Sequence, residues 1–291
     1  MDKVLVIGGA GFIGSHTADA LSDQGFDVAI FDNHESSWLR DDQTMIVGDI
    51  LNVEDVKNAV SGCKYVYHYA GIANIAESTK RPLDTVNLNI VGTTNIVQAV
   101  SDSNVKRFIY ASTMYVYSPY GSFYRATKQA AESIIEVFSD QLGVQYSFLR
   151  YGSLYGPRAQ NWNSLRGYIH QILTKGHIDY SGTGKERREY IHVVDAAKLS
   201  IDILDEKYIN KAITLTGHQM MYSDEMIDMI FEIAGKKKKV NYGNNKSDPD
   251  HYTNTPYRFT PKTSIKLVPE NYCDLGQGIL EVIEDVSETI K

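Results

Sequence analysis

Cysteine, long apolar runs and excess positive charge are all scarce in this chain of 291 residues. Only Cys63 and Cys273 are present, which is too few for a disulfide framework, and no spacing is typical of a zinc site. No apolar run approaches the length of a membrane span, and a strand beginning at Lys3 leaves no room for a signal peptide. The net charge of −7 argues against nucleic acid or an anionic membrane as the main partner. We therefore expect a cytoplasmic protein without a metal.

The most informative feature that is present is a group of glycines, Gly8, Gly11 and Gly14, placed directly after an apolar run at 4–7. Glycines at this spacing let the backbone turn sharply from a strand into a helix and approach a pyrophosphate closely. Asp32 ends the next apolar run, about 20 residues further on, where a carboxylate accepts hydrogen bonds from the adenosine ribose hydroxyls. A carboxylate there also repels a 2′-phosphate. The pattern therefore predicts a dinucleotide site that favours NAD over NADP.

Short apolar strands alternate with amphipathic helices through the first half of the chain. The spacing predicts strands at 4–7, 28–31, 45–47, 65–69, 107–111 and 144–149, and helices at 13–22, 84–100 and 124–142. Units that alternate in this way form a parallel sheet with helices on both faces, and ligands bind beyond the carboxyl ends of its strands. The predicted fold class is therefore α/β, a Rossmann-type doubly wound parallel sheet with a smaller C-terminal lobe.

The regular alternation weakens after Arg150, where turns at 156–157 and 182–184 interrupt it. We interpret this part as a lobe that covers the substrate, interleaved with elements that return to the sheet. The prediction is an NAD-binding Rossmann domain at 1–151, to which 187–215 returns, and a mainly substrate-binding lobe at 152–291.

Tyr124 and Lys128 stand four positions apart in a predicted helix and therefore share one helix face. A nearby ammonium, together with the positive nicotinamide of NAD, favours the phenolate form of a tyrosine. Such a phenolate takes a proton from a sugar hydroxyl while hydride leaves the same carbon. The loop after the strand at 107–111 carries Ser112 and Thr113, whose hydroxyls can share that proton. The tyrosine–lysine pair alone is equally consistent with a surface accident, and its place one loop after this strand favours catalysis.

These residues together resemble the extended short-chain dehydrogenase/reductases, specifically the NAD-dependent sugar-nucleotide epimerase/dehydratase family. The resemblance covers nearly the whole chain, with matching segments at 8–14, 48–50, 68–71, 89–93, 111–117, 150–158 and 182–193. It implies NAD as the cofactor. The residues that it implies for cofactor binding are Gly8, Gly11, Phe12, Ile13, Gly14, Asp32, Asn33, Asp49, Ile50, Tyr69, Ala70, Gly71, Asn89, Ser112, Tyr124, Lys128, Tyr151 and Gly152.

The resemblance also implies a nucleotide-diphosphate sugar as the substrate and Thr113 as the catalytic hydroxyl, beside Tyr124 and Lys128. The residues implied to contact the substrate are Thr113, Ser153, Arg158 and Arg188. Members of this family form homodimers through a pair of long helices, which here are the predicted helices at 84–100 and 124–142.

Arg188 occupies the position of the arginine that grips the substrate diphosphate in the family. A guanidinium suits that task because it donates two hydrogen bonds in a fork. An ion pair with Glu186 or Glu189 is the alternative interpretation. Trp162 and Tyr168 have two open interpretations as well, stacking on a nucleotide base or packing in the core.

Two departures from the family pattern concern the segment after Thr113. Dehydratases of the family carry Asp-Glu directly after the catalytic threonine, whereas Met114 and Tyr115 stand there in this chain. Neither side chain supplies carboxylate chemistry, so we do not expect 4,6-dehydration. The segment between Thr113 and Tyr124 is also much shorter than is common in the family, which implies a more open pocket or an unusually large sugar.

The leading hypothesis is an NAD-dependent nucleotide-sugar epimerase that acts through a transient 4-keto sugar. Tyr124 removes the C4 hydroxyl proton, NAD accepts the hydride, and the keto sugar turns and receives it on its other face. The alternative is a nucleotide-sugar 4-dehydrogenase or 4-ketoreductase, which uses the same site without returning the hydride. A non-catalytic dinucleotide-sensing protein is disfavoured because Thr113, Tyr124 and Lys128 are all present. The sequence leaves the sugar and its nucleotide open.

Overall fold

Short strands supply the central framework of the chain, of which the computed structural model describes residues 1–243, 251–254 and 265–290. They are β1 (Lys3–Ile7), β2 (Asp27–Asp32), β3 (Gln43–Val47), β4 (Tyr65–His68), β5 (Arg107–Thr113), β6 (Tyr146–Tyr151), β7 (Ser153–Tyr155), β8 (Ile178–Tyr180), β9 (Arg187–His192), β10 (Lys211–Leu215), β11 (Met220–Tyr222), β12 (Val240–Tyr242) and β13 (Ile265–Leu267). Eight of them form one parallel sheet in the order β13-β10-β6-β5-β4-β1-β2-β3. The Rossmann-type prediction is confirmed.

Helices cover both faces of this sheet. They are α1 (Phe12–Asp23), α2 (Val53–Val60), α3 (Ile75–Lys80), α4 (Pro82–Val86), α5 (Thr93–Ser101), α6 (Ser122–Leu142), α7 (Ser164–Lys175), α8 (Val193–Asp202), α9 (Ser223–Ile233) and α10 (Leu275–Ile290). Side chains alternate along β1, so that Leu5 and Ile7 pack towards α2, α5 and α6, while Val4 and Val6 pack towards α1 and α8. No helix within the described ranges is both long enough and apolar enough to cross a bilayer.

The order of the strands reverses between β1 and β4. In an open parallel sheet, the crossovers on the two sides of such a reversal leave a crevice at the carboxyl ends of the strands. The segments after β1 and β4 carry the glycine group and Tyr69, so the topology brings these sequence-predicted residues to one edge of the sheet.

Three predicted elements differ from those observed, and the strand predicted at 144–149 is observed two residues later, at Tyr146–Tyr151. The helix predicted at 84–100 consists of α4, a π-helical stretch at Asn87–Gly92, and α5. The hydroxyls of Thr93 and Thr94 donate to the carbonyls of Asn89 and Ile90 in this region, a competition that accompanies distorted helices. The strand predicted at 107–111 continues to Thr113, because Ser112 and Thr113 remain in register with β6. These two hydroxyl residues therefore lie on a strand rather than in a loop.

The later part of the chain forms smaller units beside the sheet. Strands β11, β9 and β7 make a three-stranded sheet, and β12 pairs with β8. Helices α7, α9 and α10 share a separate apolar core. The predicted return of 187–215 to the large sheet is only partly observed, because β9 belongs to the small sheet. Helix α8 packs beside α1 against the large sheet, and β10 is one of its strands. The division into a dinucleotide domain and a substrate lobe stays a prediction.

Candidate active site

A cavity of about 770 Å³ opens at the carboxyl ends of the parallel strands and extends to the small sheet. This volume is within the range of ligand sites in proteins. Nearly all of the residues predicted for cofactor, catalysis and substrate line it: Gly8, Gly11, Phe12, Ile13, Gly14, Asp32, Asn33, Asp49, Ile50, Tyr69, Ala70, Gly71, Ser112, Thr113, Tyr124, Lys128, Tyr151, Gly152, Ser153 and Arg188. The structure brings these residues together; their individual roles remain predictions.

The glycine turn provides backbone space that no other residue would leave. Gly8 has φ +80°, and a Cβ there would lie 2.5 Å from the backbone nitrogen of Ala70. A Cβ on Gly14 would lie 2.2 Å from the carbonyl oxygen of Gly8, so only glycine allows α1 to start this close to β1. Asp32 accepts hydrogen bonds from the backbone nitrogens of Ala10 (3.0 Å) and Asn33 (2.8 Å), which fixes its carboxylate beside the turn. These features fit a dinucleotide cradle.

Thr113 and Tyr124 meet at the centre of the cavity. The backbone nitrogen of Tyr124 donates to the Ser78 hydroxyl at 3.2 Å. Burial raises the pKa of Tyr124 to about 12, although the nearby Thr113 hydroxyl acts in the opposite direction. Desolvation therefore dominates the pKa of Tyr124 in the ligand-free protein, and the expectation that Lys128 and the nicotinamide of bound NAD together favour the phenolate stays a prediction.

Lys128 lies one helical turn further along α6 and is buried. Its Nζ donates to the carbonyl oxygen of Ala111 at 2.7 Å and stands 4.6 Å from the centre of the Tyr110 ring. Burial lowers the pKa of Lys128 to about 8, and the negative charge of Glu132 partly offsets this. An ammonium held at the end of β5 is available to a ligand in the cavity, and it is poorly solvated.

Ser112 has a different environment from the one that its sequence position predicts. Its hydroxyl donates to Glu132 Oε1 at 2.5 Å, and Glu132 in turn accepts from Arg150 through Nε (2.9 Å) and Nη2 (2.6 Å). Arg150 also hydrogen-bonds the Tyr117 hydroxyl, and the side chains of Glu132 and Arg150 are almost completely buried. This network, which we call the Glu132–Arg150 pair, fixes the end of β5 to α6 and β6. The Ser112 hydroxyl therefore makes a structural contact with Glu132.

Two predicted residues, Asn89 and Arg158, are not among the described residues that line the cavity. Asn89 is buried and clamps the loop after β4, because its amide accepts from the Ile72 nitrogen (2.8 Å) and donates to the Ile72 oxygen (2.9 Å). Arg158 pairs with Asp19 at 2.8 Å and stacks on Trp38. These contacts leave Asn89 bonded to the loop after β4 and Arg158 paired with α1, and the roles predicted for both residues stay predictions.

Arg188 lies on β9 and faces the cavity. Its guanidinium stacks over the Tyr252 ring at 4.4 Å, and its Nη1 reaches the Thr253 carbonyl at 3.4 Å. Glu186, a suggested ion-pair partner, instead accepts hydrogen bonds from the loop at 183–184 and from the Tyr180 hydroxyl. These hydrogen bonds lower the pKa of Glu186 to about 2 even though burial opposes the charge. Glu189, the other suggested partner, pairs with Lys266 at 3.1 Å.

The comparison with protein families decides the relationship that the motifs predicted. The model of the NAD dependent epimerase/dehydratase family matches residues 4–214, which is well over half of the chain. The chain belongs to this family. The resemblance stated from the sequence motifs is therefore confirmed, together with the NAD dependence that defines the family.

Curated relatives in the epimerase/dehydratase family are distant in sequence but similar in length. UDP-N-acetyl-α-D-glucosaminuronate decarboxylase of Bacillus cytotoxicus is 27% identical, and the alignment covers 97% of both chains. Bifunctional UDP-glucose 4-epimerase and UDP-xylose 4-epimerase 1 of Pisum sativum is 27% identical, covering 81% of this chain and 82% of the relative.

Solved structures confirm the fold of this family member. UDP-glucose 4-epimerase of Thermotoga maritima, determined with UDP-glucose, superposes with a TM-score of 0.86 at 23% identity, covering 99% of this chain and 100% of that one. UDP-glucuronic acid 4-epimerase of Bacillus cereus, determined with UDP-glucuronic acid and NAD, gives 0.86 at 24% identity, covering 99% of both chains.

Several cavity residues of this epimerase/dehydratase family member were not predicted from its sequence. Trp162 and Tyr168 were considered, and both line the cavity. The residues that sequence reasoning missed include Tyr115, Gln160, Asn163, Tyr180, Tyr190, His251 and Tyr252. Tyr115 and Tyr190 lie inside segments that match the family but were given no ligand contact, and the other residues lie outside the ligand-binding motifs. The one signal for the aromatic members is the abundance of tyrosine, 20 residues against 9 phenylalanines.

His192, at the end of β9, is not among the described residues that line the cavity. It is buried, its Nε2 lies 3.1 Å from Glu281 Oε2, and its ring packs edge-on against Tyr155 at 5.2 Å. Ligand-type atoms of His192, Cys273 and Glu281 all lie within 4.8 Å of one another. This cluster connects the end of β9 to α10 and contributes nothing to the cavity wall.

Replacing Lys128 with methionine is expected to stabilise the ligand-free protein at pH 7 and to abolish most of its activity. Below pH 8 the buried amine of Lys128 is charged, and this charge lowers the free energy of unfolding. The destabilisation becomes smaller as the pH rises from about 8, the pKa in the folded protein, towards the ordinary pKa of a lysine in the unfolded chain. We expect the thermal midpoint of K128M to rise by about 2–5 °C at pH 7 and by less at pH 9.5. Calorimetry at both pH values measures this, with K57M, a change on the surface of α2, as the control. A lower midpoint at pH 7 would show that the bond to Ala111 outweighs the buried charge.

Proposed function

We propose that this chain is an NAD-dependent nucleotide-sugar epimerase that acts through a transient 4-keto sugar. The observation that carries the proposal is that Thr113 and Tyr124 line one cavity with both the glycine turn and Arg188. A cofactor bound at the turn and a substrate bound at Arg188 would both reach this pair. The names of the relatives, which are dominated by UDP-sugar 4-epimerases, support the same activity.

The dinucleotide would be held by the glycine turn at its pyrophosphate and by Asp32 at its adenosine ribose. Asp49 and Ile50 line the same end of the cavity. NAD, when bound, supplies a reversible acceptor for the hydrogen at C4 and a positive charge in the site. A fixed carboxylate at Asp32 disfavours a 2′-phosphate, and we therefore propose NAD rather than NADP.

Tyr124 and Thr113 would hold and move the proton of the sugar hydroxyl at C4. The phenol is neutral in the ligand-free protein because burial raises its pKa to about 12. To act as a base near neutral pH it needs positive charge in its surroundings, which Lys128 and the bound cofactor would provide. The Thr113 hydroxyl donates to the phenol oxygen or accepts from it, and it can therefore pass the proton between Tyr124 and the sugar.

The substrate in this proposal is a UDP-hexose derivative. Arg188 would bind its diphosphate with a forked pair of hydrogen bonds, and Ser153, which lines the cavity beside Gly152, would contact the sugar. Arg158 pairs with Asp19 in the ligand-free protein, and we therefore assign the diphosphate to Arg188 in this proposal. UDP rather than another nucleotide is proposed because the relatives and structural neighbours named above are enzymes of UDP-sugars.

The remaining features of the proposal concern organisation. Residues 1–151 would carry the cofactor and 152–291 mainly the substrate. A homodimer would form through the helices at 82–101 and 122–142, whose exposed apolar side chains Leu83, Val91 and Val137 support a buried interface. A cytoplasmic setting would match the small number of cysteines.

Incubation of the NAD-loaded protein with a panel of UDP-hexoses and UDP-hexuronates, followed by proton NMR and mass spectrometry, tests this function. We expect a C4 epimer of at least one substrate. Starting from a substrate deuterated at C4, the product keeps the label at C4, because the hydrogen returns to the carbon that it left. Accumulation of a free 4-keto sugar would instead establish a one-way dehydrogenase. No conversion of any UDP-sugar would reject the proposal.

A further inference from the structure

The imidazole of His192, at the end of β9, is enclosed on several sides. The residue is 3% exposed, and the Tyr155 ring packs edge-on against it. Two glycines also lie against the imidazole. A Cβ on Gly156 would lie 3.1 Å from Nε2, and a Cβ on Gly278 would lie 3.0 Å from Cδ2. The surrounding structure therefore holds the imidazole in one position.

Both ring nitrogens of His192 lack a hydrogen bond among the residues that the structure describes. Nε2 lies 3.1 Å from Oε2 of Glu281, which is close enough for an ion pair but not aligned as a hydrogen bond. Buried polar atoms are rarely left without a partner, and a bound ion is one explanation of an exception. This imidazole is therefore a candidate metal ligand.

Two further side chains of metal-binding type stand beside the imidazole. Ligand-type atoms of His192, Cys273 and Glu281 all lie within 4.8 Å of one another. A tetrahedral zinc ion with bonds of about 2.0–2.3 Å holds its ligand atoms about 3.3–3.6 Å apart, so these atoms would approach one another by about 1–1.5 Å at most. Cys273 and Glu281 are partly exposed, which gives an ion a path to the three side chains.

The backbone around Cys273 is fixed to two helices. Its nitrogen donates to Asp195 Oδ2 on α8 at 2.8 Å, and the Asp274 carboxylate accepts from the first nitrogens of α10. The Cys273 thiol donates to the Asp274 carbonyl at 3.5 Å, and a thiol is a weak donor that loses little when a metal replaces this contact. The segment is therefore ordered by bonds that leave the sulfur atom available.

The charges around these three side chains favour a cation. The Cys273 thiol experiences the charges of three carboxylates and one ammonium, which belong to Asp195, Asp274, Glu281 and Lys198. The sum over these four groups is negative, and a divalent ion is attracted to such a place more strongly than it would be in open water, because burial reduces screening.

We propose that His192, Cys273 and Glu281 bind Zn²⁺, with a water as the fourth ligand, and that the ion joins β9 to α10. Imidazole nitrogen, thiolate and carboxylate oxygen are the donors that Zn²⁺ takes in proteins, whereas Ca²⁺ and Mg²⁺ require oxygen ligands. The thiol loses its proton to solvent on binding, because the thiolate is the ligand. His192 lies far from the other two ligands in sequence, so no local spacing predicts this site.

Titration of the full chain with Zn²⁺, without a histidine tag and after treatment with a chelator, tests the site. We expect one ion per chain with a Kd at or below about 1 µM. Zinc at about 100 times Kd should raise the thermal midpoint by about 3–6 °C. The variants C273S and E281Q should each weaken binding by at least about tenfold. The matched control is E288Q, the same substitution at an exposed position near the end of α10, and it should keep the wild-type affinity.

Co²⁺ provides a second measurement, because a thiolate bound to Co²⁺ gives a charge-transfer absorption band. The band should appear in the wild type and in C63A, which removes the other cysteine of the chain, and it should be absent in C273S. Thermal midpoints without metal check that each variant is folded. Less than one zinc ion bound per chain at about 100 µM, or a Kd that C273S and E281Q both leave within about threefold of the wild type, overturns the proposal. The cluster would then contribute only packing between β9 and α10. Because the cluster lies outside the cavity, either result leaves the proposed function untouched.

Discussion

Replacing Tyr124 with phenylalanine is expected to lower kcat by about 10²- to 10⁴-fold, the contribution typical of a positioned acid or base. The variant keeps the ring that packs against Tyr115 and loses the hydroxyl that lies near Thr113. The fold and the binding of NAD should therefore be preserved, since the glycine turn and Asp32 lie on other segments. Steady-state kinetics with the accepted UDP-sugar measure the loss, and fluorescence titration with NAD checks the cofactor site.

The control for Y124F is Y120F, which removes an exposed hydroxyl at a neighbouring position. A proton acceptor also gives the wild-type kcat an acidic limb, because protonation of the phenol in the complex inactivates the enzyme. The residual activity of Y124F should lack that limb. A Y124F variant that retains kcat within about tenfold of the wild type would assign the proton transfer to another group.

Local spacing was sufficient to predict the framework of the molecule and most of the cavity. The glycines at 8, 11 and 14 and the aspartate at the end of β2 act through backbone geometry, which depends on residues adjacent in sequence. Because the strands are parallel, the residues that follow them all lie at the same edge of the sheet. For this reason the sequence alone predicts one ligand site that includes Tyr69, Thr113 and Tyr151, and all three line the cavity.

Long-range partners could not be predicted, because no sequence spacing relates them. The Ser112 hydroxyl was expected at the reaction centre, and it bonds Glu132, which lies on the interior side of α6. Arg158 matched a family motif, yet its position depends on Asp19 in α1. The contact between Tyr115 and His251 joins residues more than a hundred positions apart, and no motif relates the two positions.

The protonation state of Tyr124 illustrates the same limit in electrostatic terms. A spacing of four residues correctly places Tyr124 and Lys128 on one face of α6, and both line the cavity. Spacing does not reveal burial, however, and burial raises the pKa of the phenol and lowers that of the amine. Each of these shifts favours the neutral group, so the ligand-free site has less charge than the sequence pattern implied.

Replacing Glu132 with glutamine is expected to destabilise the protein by about 3–5 kcal/mol, because the buried Arg150 would lose its counter-charge. The substitution preserves the shape of the side chain, removes its negative charge and replaces one of the two oxygens that accept from Arg150 and Ser112 with an amide NH2 donor. For a chain of this size the thermal midpoint should fall by about 6–15 °C. Calorimetry of the ligand-free protein measures the change.

The matched control is E54Q, the same substitution in an exposed pair with Lys57 on α2. An exposed ion pair contributes less than about 1 kcal/mol to the free energy of unfolding. We therefore expect the thermal midpoint of E54Q to lie within about 2 °C of the wild-type midpoint. Adding R150M to E132Q removes both buried charges and should recover part of the loss, since the cost arises from an unpaired guanidinium rather than from the missing pair. A midpoint for E132Q equal to that of E54Q would mean that Arg150 is solvated or neutralised by another group. The Glu132–Arg150 pair would then have no part in holding Ser112 and Thr113 at the end of β5.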